Sequence, residues 1–262
     1  MSAAPIGLIA GSGRFPLLFA QAAQRAGRTV VVVAHEGESD PALSAAAWVK
    51  LGQLGRIAEI LRAAGVSEAV LCGGIRKPKL FDVRPDWLGL KALARLRTFG
   101  DDAALRAIAL ALEEEGVRIV SPVPLVPELL APSGPIGRRK LSDDQRADAI
   151  AGLAAARALG EADIGQTVVV KRGVVLAVEA VEGTDACIAR GGGLGKGAVV
   201  VKARKPRQDE RFDVPAIGPR TIETCAAAGC SALAVEAGTT LVLDRVEVAE
   251  RADRAGIAVE GI

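Results

Sequence analysis

"GLIAGSGRFP", residues 7–16, decides how the first half of this chain is read. An apolar run ends in Gly11-Ser12-Gly13, and Pro16 stands where a helix should begin. Proline suits a first helical turn because the N–H it lacks has no partner there anyway. Strand, glycine turn and helix in this order gather backbone N–H groups where an anion binds. The dinucleotide fingerprint G-x-G-x-x-G has Gly11, Gly13 and Pro16 at its three positions, with Glu36 near the place of its ribose-binding acid. Pro16 loses the close helix–strand packing that the third glycine permits. Three readings stand: a dinucleotide, a tight corner with no ligand, and the phosphate of another ligand. The broken fingerprint favours the last over the first.

Outward from this turn, "TVVVVAH" (29–35) reads as a second buried strand, and residues 51–66 supply a helix. "EAVLCGG" (68–74) is a third strand that again ends in glycines. Residues 100–116 form a helix capped by Asp101 or Asp102 and stopped by Gly116, and "VRIVSP" closes the series. Strands alternating with helices predict a doubly wound parallel sheet. "PLVPELLAPSGPIGRRK" (124–140) breaks the pattern, and the expected domains are 1–135 and 136–262. Ser142 and Gln145 make a capping box for a helix running to about Leu159. Beyond it come paired strands within 167–183 turning at Arg172-Gly173, a strand within 197–206, a helix over Thr221–Ala228, and strands at Ala232–Glu236 and 239–244. The fold class is therefore α/β, with a parallel-sheet N-terminal domain and a mixed α+β C-terminal one. "GGGLGKG" (191–197) fails as a P-loop, because Arg190 holds the first glycine position and Gly197 the Ser/Thr position. It reads as a flexible hairpin loop.

Composition removes several functions. The chain has 262 residues, is 50% hydrophobic but only 3% aromatic, has no Tyr, and carries a net charge of +2. Stacking platforms and a strong basic field are both missing, so nucleic acid is not an expected partner. A single histidine, His35, leaves no material for a serine–histidine–acid triad or a histidine-rich zinc site. The four cysteines make no C-x-x-C pair and read as reduced thiols of a cytoplasmic protein. The start, "MSAAPIGLIAG", lacks the basic region of a signal peptide, and no apolar run reaches the roughly 18 residues of a membrane span.

Chemistry must then come from carboxylates, cations and a borrowed metal, and the second half is rich in both charges. "VEAVEGTDA" (178–186) delivers Glu179 and Glu182 to a turn holding Gly183, Thr184 and Asp185. These acids suit surface charge or a cap. Equally, backbone N–H, hydroxyl and carboxylate within one turn suit an oxygen-rich Mg²⁺–phosphate site. "KARKPRQDERFDVPAIG" (202–218) sets Lys202, Arg204, Lys205, Arg207 and Arg211 around Asp209, Glu210 and Asp213. It reads either as a solvated charge run or as cations clamping a diphosphate, with Asp213 fixed by Pro215 and Gly218. Glu236 and Asp244 in "EAGTTLVLD" read as turn and edge residues.

These stretches, together with "GGIRKP", "GDDAALR" and "DIGQTVVV" and in this order, make the chain resemble the LpxI family, the UDP-2,3-diacylglucosamine pyrophosphatases of lipid A synthesis. The resemblance implies a Rossmann-like N-terminal domain, a C-terminal domain of unusual fold, and a homodimer with the active site between domains. It implies Mg²⁺-dependent (or Mn²⁺-dependent) cleavage of the diphosphate to UMP and 2,3-diacylglucosamine 1-phosphate. The family's R-x-D-x-P-x-I-G motif falls on Arg211, Asp213, Pro215, Ile217 and Gly218, so Asp213 is the expected catalytic residue. Asp185 and Asp213 are the expected metal ligands. Gly11, Ser12, Gly13, Gly74, Arg76, Thr184, Lys202, Lys205 and Arg211 are the expected substrate contacts. A Rossmann-type nucleotide-sugar enzyme and a non-catalytic nucleotide-binding module remain the alternatives. A diacyl substrate also implies work at the cytoplasmic face of the inner membrane. In "RPDWLGLKALARLRTFG" (84–100), Trp87, Leu90, Leu93, Ala94 and Phe99 share an apolar side, beside Lys91, Arg95 and Arg97. That pattern fits a peripheral membrane helix or a packed interface.

Overall fold

The computed structural model describes residues 4–75, 84–96, 101–206 and 208–262. It divides into two compact units, Met1–Pro127 with Glu210–Phe212, and Glu128–Asp209 with Asp213–Ile262.

The first unit holds five parallel strands in the order β3-β2-β1-β4-β5. They are β1 (Ile6–Ala10), β2 (Val30–His35), β3 (Ala47–Val49), β4 (Glu68–Cys72) and β5 (Arg118–Ile119). Helices α1 (Phe15–Arg25), α2 (Leu54–Ala63), α3 (Trp87–Ala94) and α4 (Asp101–Glu114) connect and cover them. Every residue of β1 is buried, as a strand covered on both faces must be. The chain runs outward from β1 through β2 to β3 and then returns to the other side of β1 with β4. Strand order therefore reverses between β1 and β4, the place where open parallel sheets bind ligands beyond their carboxyl ends. The cap expected at Asp101 or Asp102 lies outside the described side chains.

The turns after β1 and β4 meet at that point. Ser12 N–H donates to Gly74 O (2.7 Å), Gly74 N–H returns a bond to Ser12 O (3.3 Å), and Ser12 Oγ also donates to Gly74 O (2.7 Å). The approach is backbone to backbone. A Cβ on Gly11 would lie 2.5 Å from Gly74 O, and one on Gly73, whose φ is +86°, would lie 2.4 Å from Ser12 O.

The second unit is built on a six-stranded mixed sheet, β6-β13-β11-β9-β7-β8. Its strands are β6 (Gly134–Pro135), β7 (Thr167–Lys171), β8 (Val174–Val178), β9 (Val199–Lys202), β11 (Ala232–Val235) and β13 (Ala258–Gly261). A separate parallel pair joins β10 (Ala216–Ile217) to β12 (Leu241–Val242). Helix α5 (Asp143–Glu161) covers one face, packing Ala149, Leu153 and Ala156 on Val168, Val170, Val199 and Val201. The alternate residues Val169, Val200 and Leu233 face the other side. There they meet α6 (Thr184–Leu194), α7 (Pro219–Ala228) and α8 (Arg245–Ala255). The capping box of Ser142 and Gln145 forms at the start of α5. Arg172 and Gly173 turn the β7–β8 hairpin with φ of 50° and 74°, the positive values that a two-residue hairpin turn requires. Asp148 on α5 accepts both of their N–H groups.

One expectation is overturned. Gly191–Leu194 are not a loop but the last turn of α6. A Cβ on Gly191 would sit 2.5 Å from Val169 Cβ, and one on Gly192 would sit 2.5 Å from Ala228 O. The glycines let α6 lie against β7 and α7. Close packing, rather than flexibility, is what they provide.

Candidate functional site

In the first unit, the structure gathers Gly11, Ser12, Gly13 and Gly74 at the strand-order reversal. Two of the N–H groups expected to face an anion are already used: Gly11 N–H donates to Cys72 O (2.8 Å) and Ser12 N–H to Gly74 O. What the turn still offers is Gly13, with φ +88°, and the first turn of α1, which has no side-chain cap and carries Pro16. An uncapped helix N-terminus leaves N–H groups for a ligand or water. His35 closes the end of β2, with Nδ1 2.8 Å from Ala10 O. Burial lowers its pKa, against the opposing pull of the Ala10 carbonyl and Glu38. Arg76 lies outside the described residues, as do Arg207, Arg97 and Phe99. Arg211 falls with this unit, its guanidinium 4.7 Å from the Phe212 ring centre and 3.4 Å from Glu113.

In the second unit, the charged residues assemble around a buried lysine. Lys202 ends β9, and its Nζ donates to Thr184 Oγ1 (3.1 Å). Thr184 Oγ1 in turn donates to Glu179 Oε1 (2.8 Å), and the Glu179 carboxylate also accepts the N–H of Gln166 (3.3 Å). Glu179 and Lys202 are both buried. Burial pushes the Lys202 ammonium below its ordinary pKa, while the carboxylates of Glu179, Asp213 and Asp185 oppose that shift. Three acids thus act on one ammonium. Asp185, in the first turn of α6, pairs with Arg220 Nε on α7 at 3.0 Å.

Glu182 and Lys202 line a cleft of about 470 Å³ where two helices begin, with Thr184 and Asp185 from α6 and Arg220 and Thr221 from α7. Gly183, at φ +82°, turns the chain into α6 without a side-chain cap. Two helix starts aimed at one cleft favour an anion there. Lys205 does not join this group: its Nζ is held by Asp163 at 2.8 Å. Glu236, expected as a turn residue, accepts from Arg157 and from the N–H of Arg204.

The donor set also decides what metal arrangement fits. Among the described residues no three His, Cys, Asp or Glu side chains cluster tightly enough to cage a metal. Mg²⁺ does not need a cage, since one or two carboxylates plus substrate phosphates commonly hold it. Asp185 and Asp213 fit that shared mode. Glu179, Asp185 and Asp213 all act on Lys202, and Asp185 is shared with Arg220.

The LpxI N-terminal domain model matches residues 5–129, and the LpxI C-terminal domain model matches residues 132–260. The UDP-2,3-diacylglucosamine pyrophosphatase LpxI of Caulobacter vibrioides is 38% identical over 98% of this chain and 97% of that relative. The chain belongs to the LpxI family. Within this LpxI chain, the residues that sequence reasoning passed over are Glu179 as a buried partner, Arg220 and Thr221. The "GPRT" that opens α7 is a usable signal for the last two, because Gly-Pro announces a helix start. Nothing local marks Glu179 as buried.

Proposed function

We propose that this chain hydrolyses the diphosphate of UDP-2,3-diacylglucosamine, releasing UMP and 2,3-diacylglucosamine 1-phosphate. The activity named for the Caulobacter vibrioides relative supports the substrate. The observation that carries the chemistry is the cleft at two helix N-termini around buried Lys202, on which Glu179, Asp213 and Asp185 act. Lys202 and Arg220 bind phosphoryl oxygens, and the first turns of α6 and α7 add N–H donors to the same oxygens. Thr184 holds the Lys202 ammonium in place by the bond chain to Glu179. Asp213 is exposed, and its carboxylate orients the attacking water and takes its proton. Asp185 and Asp213 are the residues that would hold Mg²⁺ or Mn²⁺. The bound ion supplies Lewis-acid polarisation of phosphoryl oxygens. The glycine turns at Gly11–Gly13 and Gly74 serve the nucleotide or sugar end of the substrate.

The test is direct. Protein given the UDP-lipid and Mg²⁺ should release UMP, EDTA should abolish release, and Mg²⁺ or Mn²⁺ should restore it. Full release in EDTA removes the metal from the reaction. Binding of the lipid without any UMP in Mg²⁺ makes the chain a binding module.

We also place the protein at the cytoplasmic face of the inner membrane, as a homodimer. No described helix is long and apolar enough to cross a membrane. Support for surface attachment comes from α3, where Trp87 is 80% exposed and Leu90 and Leu93 are exposed beside it. Lys91 and Arg95 on the same helix pair with Glu114, so apolar area rather than charge dominates this face. Support for a homodimer comes from β8, an edge strand of five apolar residues with Val174, Val175 and Val178 exposed. The opposite edge, β6, is two residues long and contains Pro135, which blocks pairing. A monomeric mass in sedimentation, from wild-type protein, would overturn the dimer.

A further inference from the structure

Helix α7 ends in a Schellman motif. Cys230 N–H donates to Cys225 O (2.9 Å), Gly229 N–H donates to Ala226 O (3.0 Å), and Gly229 has a left-handed φ of 72°. This closure folds the residue after the glycine back onto the last full turn, so their side chains touch. In most helices that contact is hydrophobic. Here both partners are cysteines, both free, and both packed in the core between the sheet and α6–α8. We propose that Cys225 and Cys230 form a redox-active dithiol, a modification site at which a peroxide closes an intramolecular disulfide.

The geometry separates this pair from the other thiols. The Schellman closure sets the Cys225 and Cys230 side chains against each other, so a bond between them closes a short loop at one helix end. The motif's two backbone bonds hold that register. Cys230 retains slight exposure, 6%, where Cys225 has none, so the peroxide meets Cys230 first. Lys196 lies over the same turn, its Nζ bonded to Ala228 O at 3.4 Å. The Cys225 thiol and the Lys196 ammonium favour the Cys230 thiolate, against burial, while Cys225 itself is pushed up by Cys230 and by burial. Cys72 and Cys187 are buried, away from this helix end. Structural cysteines buried in apolar surroundings are inert, so these two are not expected to react.

The chemistry balances without a further reagent. The Cys230 thiolate attacks one peroxide oxygen, the O–O bond breaks, and hydroxide leaves, giving a sulfenic acid on Cys230. The Cys225 sulfur attacks the Cys230 sulfur, the S–O bond breaks, and the departing hydroxide takes the Cys225 proton as water. Two thiols and one hydrogen peroxide become one disulfide and two waters. A dithiol reductant reverses the change. The modification fixes the far end of the helix whose first turn carries Arg220 and Thr221, yet it depends on no assumption about substrate.

The experiment treats the native full chain with hydrogen peroxide, quenches with an alkylating agent in denaturant, and digests with trypsin. Cleavage after Arg220 and Arg245 puts both cysteines in one peptide. We expect that peptide to be lighter by two hydrogens and closed to alkylation, with Cys72 and Cys187 fully alkylated and dithiothreitol restoring the thiols. Cys225→Ala and Cys225→Ser should each leave a sulfenic acid on Cys230 that dimedone captures, whereas wild-type protein should give little adduct. Full alkylation of Cys225 and Cys230 after peroxide overturns the proposal. Equal dimedone capture in wild type and either folded variant overturns it as well, because Cys225 then resolves nothing. Preferential oxidation of Cys72 or Cys187 does the same.

Discussion

Three adjacent glycines in α6 allow one substitution to be tried with opposite results. Replacing Gly by Ala inside a helix gains up to about 1 kcal/mol of propensity. At Gly193 a Cβ would meet nothing within 4 Å, so Gly193→Ala keeps the gain. At Gly191 the Cβ would land 2.5 Å from Val169 Cβ and 2.7 Å from both of its Cγ atoms. At Gly192 it would land 2.5 Å from Ala228 O and 2.6 Å from Ala228 Cβ. Overlaps of this depth force backbone shifts worth about 1–3 kcal/mol, and the Ala228 carbonyl yields only if the end of α7 moves. The net expectation is a loss of up to about 2 kcal/mol for Gly191→Ala and Gly192→Ala. Against Gly193→Ala the propensity gain cancels, leaving a gap of about 1–3 kcal/mol, or roughly 3–10 °C in Tm. Both tryptophans, Trp48 and Trp87, lie in the first unit, so far-UV circular dichroism is the readout and tryptophan fluorescence the internal control. If all three variants melt alike, α6 is not packed as described and the loop reading returns.

Other perturbations address the proposed chemistry and its setting. Asp213→Ala should lower kcat on the order of 100-fold or more while leaving lipid affinity near wild type, because its carboxylate is assigned to water and metal; a near-normal kcat in folded protein removes it from the mechanism. Glu260 is buried, which alone would raise its pKa, but bonds from Arg146 and the Leu141 N–H outweigh burial and hold it below the ordinary 4.5. Its contribution is therefore complete above 4.5 and lost as pH falls through the lower native value. Glu260→Gln should cost about 1–3 kcal/mol at neutral pH, with the gap to wild type closing in acid; a gap that stays constant in urea melts across that range contradicts the pairing. Trp87→Ala combined with Leu90→Ser should reduce flotation with anionic vesicles several-fold and leave hydrolysis of detergent-dispersed lipid intact. Unchanged flotation with a lowered Tm would make α3 structural.

The parallel sheet is legible in the sequence because β1, β2 and β4 are apolar runs that end at glycine or polar residues. Covered strands leave no other pattern. Pro16, the Ser142–Gln145 box and Arg172-Gly173 are local signals, and each marks its boundary within a residue or two. The helix over Gly191–Leu194 is not legible. Glycine's poor helix propensity says loop, and only the positions of Val169 and Ala228, known after folding, say otherwise. The site divides the same way. Thr184, Asp185 and Lys202 are visible as residue types suited to phosphate, and the fold brings them together. Lys205 carries the right charge but is bound to Asp163, a pairing across sequence that no local pattern announces. Glu179 looks like surface charge until the bond from Thr184 shows which way it turns.

The abutting turns at Gly11 and Gly73 carry a consequence at the level of the gene. Every change in the first or second base of a glycine codon that still encodes an amino acid introduces a Cβ. Neither position therefore has a conservative neighbour one mutation away. A second substitution cannot relieve the first, because the obstacle on each side is a main-chain carbonyl, of Gly74 for one and of Ser12 for the other. In a saturation library under selection for folded protein, these two codons should vary in their third base alone, while the codon for Gly193 drifts freely.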